Sequence, residues 1–321
     1  MVNKEHLENF YNTKILPSLE PLERERKKVL FKQRISILLF LIIWGYIAYV
    51  LLTYTKLEIG HIIGQSAFVF VAYLFLDSYI TFEFKSKYKS NVIKPLIEQL
   101  GEKLEYSPNK KIKEQKFIDS NLFYYWTKYY GDDYVTGEIQ GVEIEFSELN
   151  VIRSTKHVEM DIFTGLFIIC EFNKNVRHDV RVVPNQYEFS LGALTKLFGI
   201  DGAEKLDNIE FNNIFTVYGE DAVTTRYILT HTMMENLLSF QENMNVPVCA
   251  SFQGSKFYLA LDFNNRQLFE PSISRPLKDN ADIKFFAELL VGISQIINDF
   301  KLNEYLWSKE KRETRDRVIN L

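Results

Sequence analysis

Glu220, Asp221, Arg226 and Tyr227 fall within one short stretch, and together they form the polar cluster of greatest chemical interest. A guanidinium beside carboxylates at a helix can orient an anionic ligand, or it can fix the helix to a sheet as an internal ion pair. The balance favours the structural role, which leaves Arg226 and Tyr227 as the candidate ligand-binding residues. Gly131-Asp132-Asp133 is acidic and suits a cation, but Asp favours turns and Gly supplies positive φ, so a turn is the expected form. His157 and Asp161 have helical ligand spacing. The alternation around them is strand-like, which separates i and i+4 by about 13 Å. His178 and Asp179 are adjacent and so point to opposite faces of a strand, and His231 stands alone at the start of a helix. No P-loop, GxGxxG, HExxH or GxSxG occurs in the sequence. Cys170 and Cys249 each lie in an apolar run and read as buried reduced thiols. The expectation is therefore no catalytic residue, no metal and no cofactor.

The elements that would carry these residues are organised around Ile35–Thr53, which holds no charged side chain. At the helical rise it extends roughly 28 Å, close to the hydrocarbon thickness of a bilayer. A second apolar run, Ile59–Ile80, follows a short polar break, and the two read as a membrane hairpin. In the second run His61 and Gln65 lie near one end and Asp77 near the other. Asp77 is within reach of the interface, so it makes a poor ion pathway. Arg24, Arg26, Lys27, Lys28, Lys32 and Arg34 precede the first run, and Lys85, Lys87 and Lys89 follow the second. The positive-inside rule places these flanks, and both termini, in the cytoplasm of a multi-pass inner-membrane protein. The lipid bilayer is thus the first expected partner, with each flank cation contributing about 1 kcal/mol near an anionic leaflet.

Residues 3–16 form an amphipathic helix capped by Asn3, with a break expected near Pro17. Residues 86–105 read as a helix interrupted by Pro95, ending in a turn at Ser107–Lys111. From Phe117 the period changes to two. Val135, Ile139, Val142, Ile144 and Phe146, broken by Gly137 and Gly141, predict a hairpin. A second hairpin is expected about a turn at Asn173–Asn175, and a third about Gly254. Asp221 caps a short helix, and Thr232 with Glu235 fits a capping box for another. Ile283, Phe286, Leu290, Ile293, Ile297 and Phe300 stripe a terminal helix from Asp282 to Trp307, and Phe285, Leu289 and Ile296 widen that face as docking on its own core requires.

The fold class is therefore α+β: an N-terminal two-helix transmembrane hairpin, then a cytosolic antiparallel-sheet domain with packed helices and a long C-terminal helix. The expected divisions are basic N-terminal helices (1–34), the hairpin (35–80, as 35–53 and 59–80), a juxtamembrane helix and linker (81–110), the α+β domain (111–280), and a terminal helix with a charged tail (281–321). The formal net charge of -4 gives no general argument for nucleic acid.

The segments FTGLFIICEF (163–172), LDNIEFNNIFTVYGEDAVTTRYILTHTMMENL (206–237), FQGSKFYLAL and NRQLFEP (252–271), with GDDYVTG and IEFSE (131–148), resemble the bacterial membrane-protein family catalogued as domain of unknown function 3137. The resemblance implies a membrane hairpin with a cytosolic domain, carries no assigned reaction, and points to LemA-type membrane proteins as partners. Residues and resemblance together give the expected function as a membrane-anchored, non-enzymatic module that binds a protein partner. The alternative is a regulator that senses a lipid or small ligand in a basic, membrane-facing pocket.

Overall fold

A computed structural model describes residues 4–54, 59–101, 103–156, 158–185, 203–263, 268–277 and 281–299. The chain divides into two units. One consists of Glu5–Pro95 together with Glu270–Lys284, and the other of Leu96–Phe269 with the residues from Phe285 onward.

The helical unit opens with α1 (Lys4–Phe10) and a π-helical turn (Tyr11–Ile15) that leads directly into α2 (Leu16–Tyr54). Leu7, Tyr11, Ile15, Leu19 and Leu22 are buried at helical spacing, as an amphipathic face requires. The break expected at Pro17 is not a chain break. It is a change of hydrogen-bond period in the turn just before, and Pro17 follows that wider turn in a helix that continues without a break. Helix α3 (Ile59–Tyr88) returns antiparallel to α2. The 39-residue α2 and the 30-residue α3 are each long and apolar enough to cross a membrane. Their outward residues, among them Leu38, Leu41, Ile42, Phe68, Phe75 and Tyr79, are exposed. Contacts between the two helices include Gln33 Nε2 donating to Asp77 Oδ1 at 2.7 Å, Trp44 Nε1 donating to Ser66 Oγ at 2.7 Å, and the Phe40 and Tyr73 rings 5.3 Å apart. Beyond α3 a second π-helical turn (Lys89–Ile93) and α4 (Lys94–Glu98) bury Val92, Ile93, Leu96 and Ile97.

The second unit is built on a seven-stranded antiparallel sheet. Its strands are β1 (Glu105–Ser107), β2 (Lys128–Ile139), β3 (Val142–Ser154), β4 (Glu159–Pro184), β5 (Ala203–Glu204), β6 (Phe215–Gly219) and β7 (Val248–Asp262). The order is β1-β2-β3-β4-β6-β5, with β7 also paired to β4. The β2–β3 hairpin forms as its glycine pattern predicts. Gln140 and Gly141 both take positive φ, the requirement of a two-residue type I′ turn.

Both later hairpins are corrected. The expected turn at Asn173–Asn175 lies inside β4, and the one at Gly254 lies inside β7, so the four short strands are two long ones. The polar residues fall opposite each other, with Val176 aligned to Gly254, where the register shifts. They mark a bulged bend, which breaks alternation as a turn does without reversing the chain. Because β4 is so long, its first half pairs with β3 and its second half with β6.

One face of the sheet buries Leu149, Val151, Phe163, Phe167 and Ile169 beneath Ile112, Phe117, Leu122 and Phe123 from the segment that includes α5 (Glu114–Asp119). Phe117 is central there, within 5.5 Å of the rings of Phe123, Trp126, Tyr129 and Phe167. Each such side chain contributes roughly 1.5–3 kcal/mol on burial. The other face buries Phe146, Leu166, Ile168, Val182, Phe252, Leu259 and Leu261. Among the described residues the remaining helices are α6 (Ile209–Ile214), α7 (Ala222–Ile228), α8 (His231–Met244) and α9 (Ala281–Asp299). Asp221 caps α7 as expected. The cap of α8 is Thr230 and not Thr232, because the helix begins two residues earlier and the Thr230 hydroxyl accepts from the Met233 N–H. Phe286, Leu289, Leu290, Ile293, Ile296 and Ile297 of α9 are buried, so its stripe packs on its own unit. A Cβ on Gly292 would lie 2.9 Å from Met244 Cε, which marks how closely α9 crosses α8. The helix expected over 86–105 ends at Glu98, and Glu105–Ser107 is an edge strand. The turn after it stands, with the Lys110 N–H donating to the Ser107 carbonyl. His157, the segment 189–199 and the terminal residues from Phe300 lie outside the described residues.

Candidate functional site

The basic flanks of the hairpin separate into two groups. Arg26 is buried on α2 and forms a bidentate pair with Glu23, Nε and NH2 donating at 2.8 and 2.7 Å. Its NH1 donates to the Ile273 carbonyl at 2.6 Å, while Glu23 accepts the Leu277 N–H at 3.0 Å. The hydrogen bonds from Arg26 hold the Glu23 carboxyl below its ordinary range against the opposing effect of burial. On α3, Lys85 meets Glu270 at 2.5 Å, Lys89 meets the same carboxylate at 4.0 Å, and Lys87 bridges Glu25 and Glu83. The segment 270–277 is therefore strapped to both helices by charge. Arg24 faces Glu20 at 3.8 Å on the exposed side of α2. Lys27, Lys28, Lys32 and Arg34 are exposed, with no ion pair among the described residues. Helical spacing shows that Glu23 can reach Arg26. Nothing local signals Ile273 or Leu277, some 250 positions away.

Gly131-Asp132-Asp133 is not a turn but part of β2, at a register shift between Asp132 and Val135, with Asp133 fully buried at φ 56°. The residues read as a turn because a left-handed residue flanked by Gly and Asp serves a bulge equally well. The bulge brings both aspartates to Glu148, their carboxylates all within 4.8 Å of one another. The Tyr106 hydroxyl donates to Asp133. The Glu148 carboxylate accepts the Leu268 N–H at 3.1 Å and bonds the Phe269 backbone as well. Burial, then the fields of Asp132 and Asp133, push Glu148 up to about 8. At neutral pH Glu148 therefore retains its proton, as a half-buried carboxyl held against two neighbouring carboxylates does. The arrangement serves as a clamp on the chain at Leu268–Phe269, and Phe269 stacks edge-on against Phe286 at 4.9 Å.

Arg226 and Tyr227 are both exposed on α7. Among the described residues Arg226 makes one hydrogen bond, to the Ala222 carbonyl at 3.4 Å. Asp221 is committed to the cap, with its carboxyl lowered first by the Thr224 hydroxyl, and Glu220 lies 3.3 Å from His178 Nδ1. The four residues thus share a surface without converging on one point. His231 faces Glu235 at 3.1 Å, and Asp179 accepts from Asn121. Cys170 and Cys249 are free and buried, and burial pushes the Cys170 thiol up to about 12 and that of Cys249 further. Neither is a nucleophile at neutral pH.

An open cleft of about 470 Å³ lies over β2, β3 and β7. Lys103, Lys116 and Lys256 line it, and so do Glu138, Glu143 and Glu145. Two of the lysines are paired, Lys103 to Glu138 at 2.9 Å and Lys116 to Glu145 at 2.5 Å. The lining is therefore charge-balanced and not basic. Arg181 is buried on the opposite sheet face from Glu148, donating to the Asn121 carbonyl and the Tyr124 hydroxyl, and it fixes the segment that covers that face.

No curated protein matches the chain by sequence. The crystal structure of the mycobacterial trehalose monomycolate transport factor A, TtfA, is similar over 67% of this chain and 94% of its own, at 10% identity and a TM-score of 0.32, a likeness too slight to carry an argument. Residues 161–302 span β4 to the end of α9, and they match the family described as protein of unknown function (DUF3137). The chain is thus similar to that family over this stretch, which is less than half of its length.

Proposed function

We propose that the chain is a membrane-anchored, non-enzymatic binding module whose hairpin spans the inner membrane twice, with both termini and the sheet unit in the cytoplasm. The observation that carries this reading is the uncovered apolar surface of α2 and α3, from Ile35 to Tyr49 and from Phe68 to Phe82. Water would not tolerate so much contiguous apolar surface, and a bilayer requires it. A protein partner fits the exposed apolar side chains at one end of the sheet, where Tyr125, Tyr130, Val158 and Met160 stand near the β3–β4 turn. Aromatic and methionine side chains are the types enriched at protein interfaces. The family resemblance makes a LemA-type membrane protein the first partner to try.

The test combines sodium carbonate extraction, a reporter fused after Leu321 and affinity capture with Tyr130→Ser/Met160→Ser as control. Retention in the membrane, a cytoplasmic signal and capture of the same partner only by the parent chain are expected. A periplasmic reporter signal overturns the orientation, and capture unaffected by the double substitution overturns the surface.

A further inference from the structure

The outward face of α2, just before its apolar stretch, is a built surface of one sign. At about 100° per residue, Lys27, Lys28, Phe31, Lys32 and Arg34 fall on an arc of about 160°, and the same arc continues into Ile35, Leu38 and Ile42. Phe31 stands in the middle of the cations and is 65% exposed. The opposite face is entirely different: Leu22, Glu23, Arg26, Val29 and Ser36 are buried there. The other flank cations have internal work, since Arg26, Lys85, Lys87 and Lys89 each have a carboxylate within 4.0 Å. Lys27 and Lys32 influence Glu23 and Glu83 only through longer-range fields. Four cations and one aromatic ring are thus left to the outside, and among the described residues none of the four cations has a carboxylate within 4.0 Å.

We propose that Lys27, Lys28, Lys32, Arg34 and Phe31 form a docking surface for the phosphate-bearing headgroups of anionic phospholipids. The surface rests on the membrane-anchored reading above and adds to it a preference for lipid type. Its length suits the role, because Lys27 to Arg34 rises about 10 Å along the helix, comparable with the headgroup layer. The lysine and arginine stems run alongside apolar surface while their charged ends reach phosphate, and Phe31 enters the acyl boundary between them. Charge complementarity selects an anionic lipid over a zwitterionic one. The paired cations on α3 contribute little to this selection, since their charge is already met.

The experiment uses the full chain in phosphatidylcholine vesicles containing brominated phosphatidylglycerol or brominated phosphatidylcholine, with quenching of Trp44 on α2 reporting which lipid lies against the helix. Phosphatidylglycerol is expected to be preferred about fivefold or more at low salt, roughly the effect of one well-placed cation. Lys27→Gln/Lys28→Gln/Lys32→Gln/Arg34→Gln should abolish the preference, and Lys85→Gln/Lys87→Gln should preserve it. All four residues are exposed, so the variant should melt with the parent. Equal quenching by both lipids in the parent, or a preference that survives the quadruple substitution, overturns the surface while leaving the anchor standing. Release of the parent chain by carbonate overturns the anchor itself, and the headgroup surface falls with it.

Discussion

Arg26 and Ile273 are joined by a 2.6 Å hydrogen bond from guanidinium to carbonyl, although 247 positions separate them. The same guanidinium neutralises Glu23, which in turn holds the Leu277 N–H, so one buried cation organises both helix and strap. Arg26→Ala leaves a buried carboxylate without its counter-charge and should cost about 3–5 kcal/mol. Limited proteolysis should then cut within 270–277 before the melting temperature is reached. Resistance equal to the parent would count against the strap. Because the Glu23 carboxyl is held below its ordinary 4.5, its contribution is complete above that pH and is lost only as pH falls through the lower folded value.

Glu148 titrates with the opposite sign. Its folded value is near 8 and its ordinary value 4.5, so between the two the folded chain binds more protons than the unfolded chain. Stability therefore declines as pH rises from about 4.5 to about 8, by a few kcal/mol in all, and levels off above. Glu148→Gln keeps an acceptor for the Leu268 N–H and removes the titration. Melting temperatures across pH 5 to 9 should fall for the parent and run flatter for the variant; parallel curves would refute the assignment.

Gly165 lies on β4 between β3 and β7, and a Cβ there would sit 1.9 Å from the Leu261 carbonyl oxygen. Backbone held on both edges cannot retreat, so Gly165→Ala should cost at the upper end of overpacking, about 3 kcal/mol. Gly45 on α2 has nothing within 4 Å of that position, and Gly45→Ala serves as the neutral control. Chemical denaturation of both variants checks the contrast.

Between the helices of the hairpin, Asp77→Asn preserves an acceptor for Gln33, while Asp77→Leu removes it and leaves the amide without its partner. The second change should weaken helix association by about 1–2 kcal/mol. Cysteines placed at Phe40 and Tyr73, whose rings are 5.3 Å apart, should cross-link readily in the parent and in Asp77→Asn, and more slowly in Asp77→Leu.

The two long helices were legible because long apolar runs parted by a short polar break favour helix over strand, and the β2–β3 turn because glycine at positive φ leaves a local mark. Asp221 was legible as a cap for the same local reason. The β4 and β7 bends were not, since Asn173–Asn175 and Gly254 interrupt alternation whether the chain reverses or merely bulges. Gly131–Asp133 was misread by the same ambiguity. Glu148 gave no signal at all: its place in a carboxylate trio depends on the β2–β3 register, and its backbone partners lie 120 positions away. The division of the flank cations into buried and outward sets was implicit in the helical period, but it needed the strap's acidic Glu270 to become visible.

The strap also has a bearing on how the protein can be divided. Residues 270–284 belong with the helices while the chain on either side of them belongs with the sheet. No single cut can yield both units whole. A soluble fragment begun at Lys110 would lose edge strand β1, and it would carry Leu277 into water with no helix to cover it. The practical excision is double: start at Leu96 to retain β1, and replace 270–284 with a short polar linker between Phe269 and Phe285. The 4.9 Å contact of Phe269 with Phe286 sets the span which that linker must close.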